Sequence, residues 1–203
     1  MKDIIVATKN EGKIKEIRQI MNDLPFNIMS MTHANIDVHI EENGSSFEQN
    51  ALIKAKAVSD ITDEIILADD SGLEVDYLNG APGIYSSRFA GENATDEQNV
   101  KKLLKLMKGV PFEKRTARFV CSVVVILPNG SRISNRGVCE GYIAFEPHGK
   151  NGFGYDPVFY YPSLYSTIAE MPDTEKNKIS HRAIALNRLK QVLKHEIEQE
   201  QFG

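Results

Sequence analysis

Residues 64–76, EIILADDSGLEVD, contain a short apolar run, Ile65 to Ala68, that stops on two adjacent aspartates, a serine and a glycine. Such a run between polar flanks suits a strand covered on both faces. A fragment of buried helix would look the same, but the shortness of the run and Gly72 favour the strand. Side chains alternate across a strand, so Asp69 and Asp70 cannot face one way while the extended geometry persists, and one of them is expected to point into a cleft. Asp, Ser and Gly also favour turns for local reasons, so this stretch alone leaves a polar turn and a functional site both open.

The rest of the chain interleaves strand and helix patterns, which predicts an α/β fold. DIIVAT (3–8) reads as a first strand, KIKEIRQIMND (13–23) as a helix with Ile14, Ile17, Ile20 and Met21 on one side, and FNIMSM (26–31) as a second strand. A helix is expected from Ser46 to Asp60. Another covers residues 94–109, with Thr95 and Gln98 at capping-box spacing, Gly109 as terminator, and Val100, Leu103, Leu104 and Met107 as its buried stripe. Two β-rich runs flank Asn129-Gly130, a hairpin signal that predicts the spine of a second lobe. The stretch from Pro147 to Pro172 is too irregular for a core and too aromatic for a linker, and reads as a binding loop. A last helix follows Ser180 as N-cap, with Ala183, Leu186, Leu189 and Leu193 inside and a solvated charged tail. With 203 residues, 41% of them hydrophobic, the chain can bury a core as one domain, 1–203, or as two lobes sharing a sheet.

Composition excludes several classes. The apolar stretch before Lys9 is too short for a signal peptide and no apolar run reaches spanning length, so a cytoplasmic protein with no membrane partner is expected. Cys121 and Cys139 have neither a disulfide framework nor metal-ligand spacing and read as reduced strand residues. A formal charge of −4 argues against a nucleic-acid coat, so a polyanionic ligand would need a local basic site.

Three further stretches carry chemistry. TKNEGK, Thr8 to Lys13, joins the first strand to the first helix; backbone N–H groups, a helix N-terminus and two ammonium groups meet there, as a phosphate requires, although an ordinary surface turn has the same composition. It lacks the spacing of a Walker A loop. EENGSSFEQNALIKAKA puts Glu41 and Glu42 before a glycine turn and a helix carrying Asn50 and Lys54. Loop carboxylates are commonly solvated, but beside the aspartates they become candidates for Mg²⁺, which takes one or two protein carboxylates and completes its octahedron with water and phosphate oxygens. In NGFGYDPVF and EKNKISHRA, Phe153 lies between two glycines with little core to join, so its ring is a candidate stacking surface, and Asp156 a candidate acceptor. His181 and Arg182 fall in the first turn of the last helix, where cations oppose the macrodipole without a local stabilising reason.

Together, TKNEGK, EENGSSFEQNA, ADDSGLEVD, GAPGIYSSRF, GFGYDP and EKNKISHR resemble the inosine/xanthosine triphosphate pyrophosphatase family, whose members hydrolyse non-standard purine triphosphates. Lys9 is a departure, since bacterial relatives often carry glycine there. The resemblance implies a two-lobed, elongated α/β fold with a central mixed sheet, a cleft between the lobes, and a homodimer. It implies Asp70 as catalytic base and Mg²⁺ ligand, and Glu41 as the second ligand. Thr8, Lys9, Asn10, Glu11, Gly12, Lys13 and Ser71, with Lys54 as a further candidate, would hold the triphosphate; Phe153, Gly154, Tyr155, Asp156, Lys176, His181 and Arg182 would hold the purine. Inosine and xanthosine carry an acceptor oxygen where adenosine has an amino donor, so Arg182 or His181 as donors would leave ATP mispaired. A phosphohydrolase of other base specificity and a nucleotide sensor that never turns over are the rival readings.

Overall fold

The computed structural model describes residues 2–202, with side chains over 2–194. In chain order the main elements are β1 Lys2–Val6, α1 Glu11–Ile20, β2 Phe26–Ser30, α2 Phe47–Ser59, β3 Ile65–Val75, α3 Asp96–Leu106, β4 Thr116–Ile126, β5 Arg132–Ile143, β6 Phe159–Tyr161, β7 Ser166–Thr167, α4 Asp173–Ile179 and α5 His181–Phe202. The described strands form one open sheet in the order β2-β1-β3-β4-β5-β6-β7. It is mixed: β1 runs parallel to β2 and β3, while β6 is antiparallel to both β5 and β7. This is the expected α/β class with the expected central mixed sheet.

The chain divides into two compact units. The first takes in the chain up to Asp70, Cys121–Gly137, and everything from Arg182 onward. Its strands are covered on both faces, which is why their sequence is nearly continuous in apolar residues. Ile4 and Val6 of β1, Ile65 and Leu67 of β3 and Val123 and Val125 of β4 pack with Ile17 of α1 and Leu186, Leu189 and Leu193 of α5. The alternate residues Ile5, Ile66, Ala68 and Val124 pack with Ala51, Ala55 and Val58 of α2. Period-2 alternation therefore sorts β3 into a face toward α1 and α5 and a face toward α2. The inner stripe predicted for α5 is buried; its charged tail lies outside the described side chains.

Local capping accounts for the helix starts. Asn10 accepts from the Lys13 N–H, which starts α1 at Glu11 rather than at Lys13. Ser46 caps α2 through the Gln49 N–H, and Thr95 with Gln98 forms the full capping box of α3.

The second unit comprises Ser71–Val120 and Val138–His181. Its core joins Leu73 and Val75, Val100, Leu103 and Met107 of α3, Phe119, Ile143, Val158 and Phe159. Arg115, which nothing in the sequence singles out, is 2% exposed and donates from Nε to the Ile143 carbonyl, from Nη1 to Met107 and from Nη2 to Ala144 at 2.6–2.8 Å. It thereby ties the C-terminal end of α3 to the end of β5 through their carbonyls. The aromatic stretch from Pro147 to Pro172, expected to be irregular, contains β6 and β7, each too short to give a periodic signal.

Candidate active site

At the end of β3 the alternation of the strand places its two carboxylates among different partners. Asp69 shares the face of Ile65 and Leu67 and meets α1 and α5: Oδ2 lies 3.1 Å from Lys13 Nζ and accepts from Arg182 Nη2 at 3.0 Å and Nε at 3.2 Å. Asp70 shares the face of Ile66 and Ala68 and meets α2: Oδ2 accepts from Asn50 Nδ2 at 3.1 Å and Oδ1 lies 3.5 Å from Lys54 Nζ. The turn that composition alone allowed is not formed, since β3 continues to Val75.

Their charges differ accordingly. Burial would raise the Asp69 carboxyl, but Lys13, Arg182 and Lys54 outweigh it and hold this group well below the usual carboxylate range. Asp69 is a fixed anion. Burial also raises Asp70; Lys54 and Lys13 offset only part of this and Glu42 adds to it, so Asp70 stays above the usual range. An elevated, half-compensated carboxylate is a better proton acceptor than its neighbour. Cys121 lies 3.9 Å from Asp69, and its thiol is pushed up to about 12 by burial and then by that aspartate, which makes it inert.

The loop before α2 carries both Glu41 and Glu42. The Glu42 carboxylate lies 2.9 Å from Lys54 Nζ. The Glu41 side chain, the expected second metal ligand, is 78% exposed, with His39 3.9 Å away. Two adjacent carboxylates in a loop without periodicity cannot be told apart by sequence. Gly44 N–H donates to Asn50 Oδ1 at 2.8 Å and seats the loop on α2. Glu42 and Asp70 both meet the Lys54 ammonium. No group of three or more His, Cys, Asp or Glu side chains suited to a metal occurs among the described residues, but Mg²⁺ needs only one or two carboxylates when phosphate oxygens and water complete its shell. The donor set fits that ion.

In the Thr8–Lys13 loop, Thr8 Oγ1 accepts from the Asn10 N–H at 3.2 Å, and Lys13 reaches back to Asp69. The cap on Lys13 leaves the N–H groups of Glu11 and Gly12 without intrahelical acceptors at the N-terminus of α1. Lys9 is exposed, pairs with Asp37 at 3.5 Å, and is not among the residues with positive φ, so the loop does not need glycine there. Ser71, next to Asp70 on β3, is half-buried.

Within the second unit, GFGYDP is organised around Asp156. This carboxylate is 2% exposed, accepts from the Phe153 N–H at 2.9 Å and is ion-paired with Lys176. A Cβ on Gly152, whose φ is +74°, would fall 2.0 Å from Asp156 Oδ2, so only glycine admits the contact. Gly154 donates to Asp96 at 2.7 Å, and the Tyr155 hydroxyl donates to the Ser86 carbonyl at 2.8 Å. The Phe153 ring, expected to stand exposed, is half-buried, with the Lys176 ammonium 4.7 Å from its centroid. Asp156 and Lys176 thus shape the loop that carries Phe153.

His181 is 6% exposed and stacks on Phe119 at 4.8 Å. Arg182 is 1% exposed, with Nη1 on Glu16 and Nε and Nη2 on Asp69. Against the expectation that its placement has no local stabilising reason, two buried carboxylates hold Arg182. Glu16, a buried carboxylate on the inner side of α1, is the partner that sequence reading missed.

Comparison with known proteins agrees with this geometry. The family model described as the Ham1 family matches residues 4–192. A dITP/XTP pyrophosphatase of Bacillus licheniformis is 49% identical over 193 residues, covering 95% of this chain and 98% of that protein. The one from Bacillus subtilis is 46% identical with the same coverage. Among solved structures, a HAM1 protein from Coxiella burnetii superposes with a TM-score of 0.86 at 43% identity, covering 96% of this chain and 100% of that one. The Staphylococcus aureus Ham1 protein gives 0.85 at 42% identity, with the same coverage. With matches spanning nearly its whole length in sequence and in fold, the chain belongs to the Ham1 family.

Proposed function

We propose that this chain is a Mg²⁺-dependent nucleoside-triphosphate pyrophosphohydrolase. It converts dITP, ITP and XTP to the monophosphate and pyrophosphate and keeps these bases out of DNA and RNA. The observation that carries the reading is the meeting of Asp70 with Glu42, Lys54 and Asn50 in a chain whose relatives are named dITP/XTP pyrophosphatases. Asp70 accepts a proton as a water oxygen bonds to the α-phosphorus; the bond to the bridging oxygen breaks, and pyrophosphate leaves with the electron pair. Lys54 and Lys13 offset the negative charge around the reacting phosphates, and the N-terminus of α1 with the Thr8–Lys13 loop binds the triphosphate. Glu41 and Asp70 would hold Mg²⁺, which would supply screening of the phosphate oxygens and stabilisation of the leaving group.

For the base we assign Phe153 as the stacking surface, with His181 and Lys176 as donors to the 6-oxo group that ATP lacks. A nucleotide sensor would gain nothing from a proton acceptor beside a candidate metal pair. Family membership supports a homodimer acting on the cytoplasmic nucleotide pool, which light scattering on the purified protein would check for the dimer. The described helices include none long and apolar enough to cross a membrane.

The test is release of pyrophosphate from a panel of triphosphates with Mg²⁺ or with excess chelator. Turnover of dITP, ITP and XTP well above ATP, lost in chelator, is expected; inorganic phosphate as first product, or full turnover in chelator, contradicts the reading. The choice between the loop carboxylates has its own test. Glu41→Gln should raise the Mg²⁺ concentration for half-maximal rate by about 10–100-fold or more. Glu42→Gln, at a carboxylate paired with Lys54, should shift it less, and the reverse order would make Glu42 the ligand.

A further inference from the structure

We propose that Asn50 is the positioning residue of this site: one buried side-chain amide fixes both the orientation of Asp70 and the seat of the loop that carries Glu42. This rests on the reading of Asp70 as the base. Asn50 is 1% exposed, and each end of its amide has one partner of the required kind. Nδ2 donates to Asp70 Oδ2 at 3.1 Å, and Oδ1 accepts from the Gly44 N–H at 2.8 Å. An ionised carboxylate only accepts and a backbone N–H only donates, so the amide cannot be turned round.

Lys54 is one helical turn further along α2, on the same face, and meets the other Asp70 oxygen, Oδ1, at 3.5 Å. With a donor facing each oxygen, rotation of the carboxylate breaks these contacts. On the loop side, Gly44 approaches so closely that an added Cβ would lie 2.7 Å from Asn50 Oδ1 and 2.8 Å from Gln49 Cβ. Two residues earlier, Glu42 reaches Lys54. One amide thus joins Asp70 to the loop that carries Glu41 and Glu42, on the first turns of a helix, where Asn is otherwise a poor choice by propensity.

The two halves of the role can be separated. Asn50→Asp keeps the size and the acceptor toward Gly44 but turns the donor facing Asp70 into an acceptor. Gly44→Ala leaves the amide on Asp70 and displaces the loop. The experiment measures kcat and KM on dITP at saturating Mg²⁺, and, without nucleotide, the binding of Mn²⁺ as a spin-detected probe of the apo protein, with thermal melts for each variant. Asn50→Asp should lower kcat by about 10–100-fold with KM within about threefold, the signature of lost orientation rather than lost binding. Gly44→Ala should weaken Mn²⁺ by about tenfold with a smaller loss of kcat.

Should Asn50→Asp melt early, Asn50→Ala, a good helix former, must show the same fall in kcat. Wild-type kcat in a folded Asn50 variant, or unchanged Mn²⁺ binding in Gly44→Ala, overturns the proposal while dITP hydrolysis and its dependence on Asp70 stand. An inactive wild type, or an active Asp70→Asn, overturns the functional reading and this one with it.

Discussion

Replacing Asp70 by asparagine is expected to lower kcat on dITP by about 10²–10⁴-fold, the range for loss of a general base, while the protein stays folded. The two side chains have nearly the same size, and Asn at position 70 can still accept from Asn50 Nδ2. Lys54 keeps Glu42 at 2.9 Å, so its ammonium is not stranded. The charge removed is one the fold carries at a penalty, because burial raises the Asp70 carboxyl above its ordinary value. A group with a raised folded pKa stabilises the native state below its unfolded pKa, about 3.9, and that contribution is lost as pH rises through the folded value. At neutral pH the variant should therefore melt at or above the wild-type temperature, and the gap should close as the solution is acidified below about pH 4. Kinetics and melts together separate chemistry from folding. A folded variant retaining more than about a tenth of wild-type kcat removes Asp70 as the base. Hydrolysis in ¹⁸O-water should put label in the monophosphate; label in pyrophosphate would move the attack away from the α-phosphorus.

What sequence reading reached in this site is what depends on local geometry. The opposed faces of Asp69 and Asp70 follow from strand alternation, and the caps at Asn10, Ser46 and Thr95 follow from residues within one turn of each helix start. What it missed depends on contacts distant in sequence. Arg182 meets Asp69 across 113 positions and Glu16 across 166, so an arginine that looks misplaced at the start of α5 is placed by charges its own helix does not contain. Glu42 meets Lys54 across 12 positions, from a loop that has no periodicity of its own. In the GFGYDP loop the glycines were read as isolating Phe153, whereas Gly152 is needed so that Asp156 can fold under it. Such residues have no period and no cap position; their partners identify them.

Arg182→Ala should be the most destabilising single change in the first unit. Breaking a buried ion pair by removing one partner costs about 3–5 kcal/mol, because the opposite charge stays in the low-dielectric interior. Here the guanidinium serves two buried carboxylates, Glu16 and Asp69, and Lys13 is a second close cation for Asp69. For a domain of this size the loss corresponds to a melting point lower by about 6–20 °C. The sign with pH follows from Asp69. Its folded pKa is depressed, so its contribution is present above the unfolded value of about 3.9 and is lost as pH falls through the folded one. Without Arg182 that depression shrinks, so the deficit of the variant should be largest near neutrality and narrow below about pH 4, where the Asp69 carboxylate protonates. Adding Glu16→Gln should recover part of the loss, since it removes one uncompensated charge, and the non-additivity of the double-mutant cycle measures the coupling. Activity then tells structure from recognition. Below the variant's melting point, rates on dITP and the residual rate on ATP should fall together, because Arg182 acts by holding Asp69 and, through it, Lys13. A selective loss of dITP turnover at a wild-type melting point would return Arg182 to the purine, the role its sequence context first suggested.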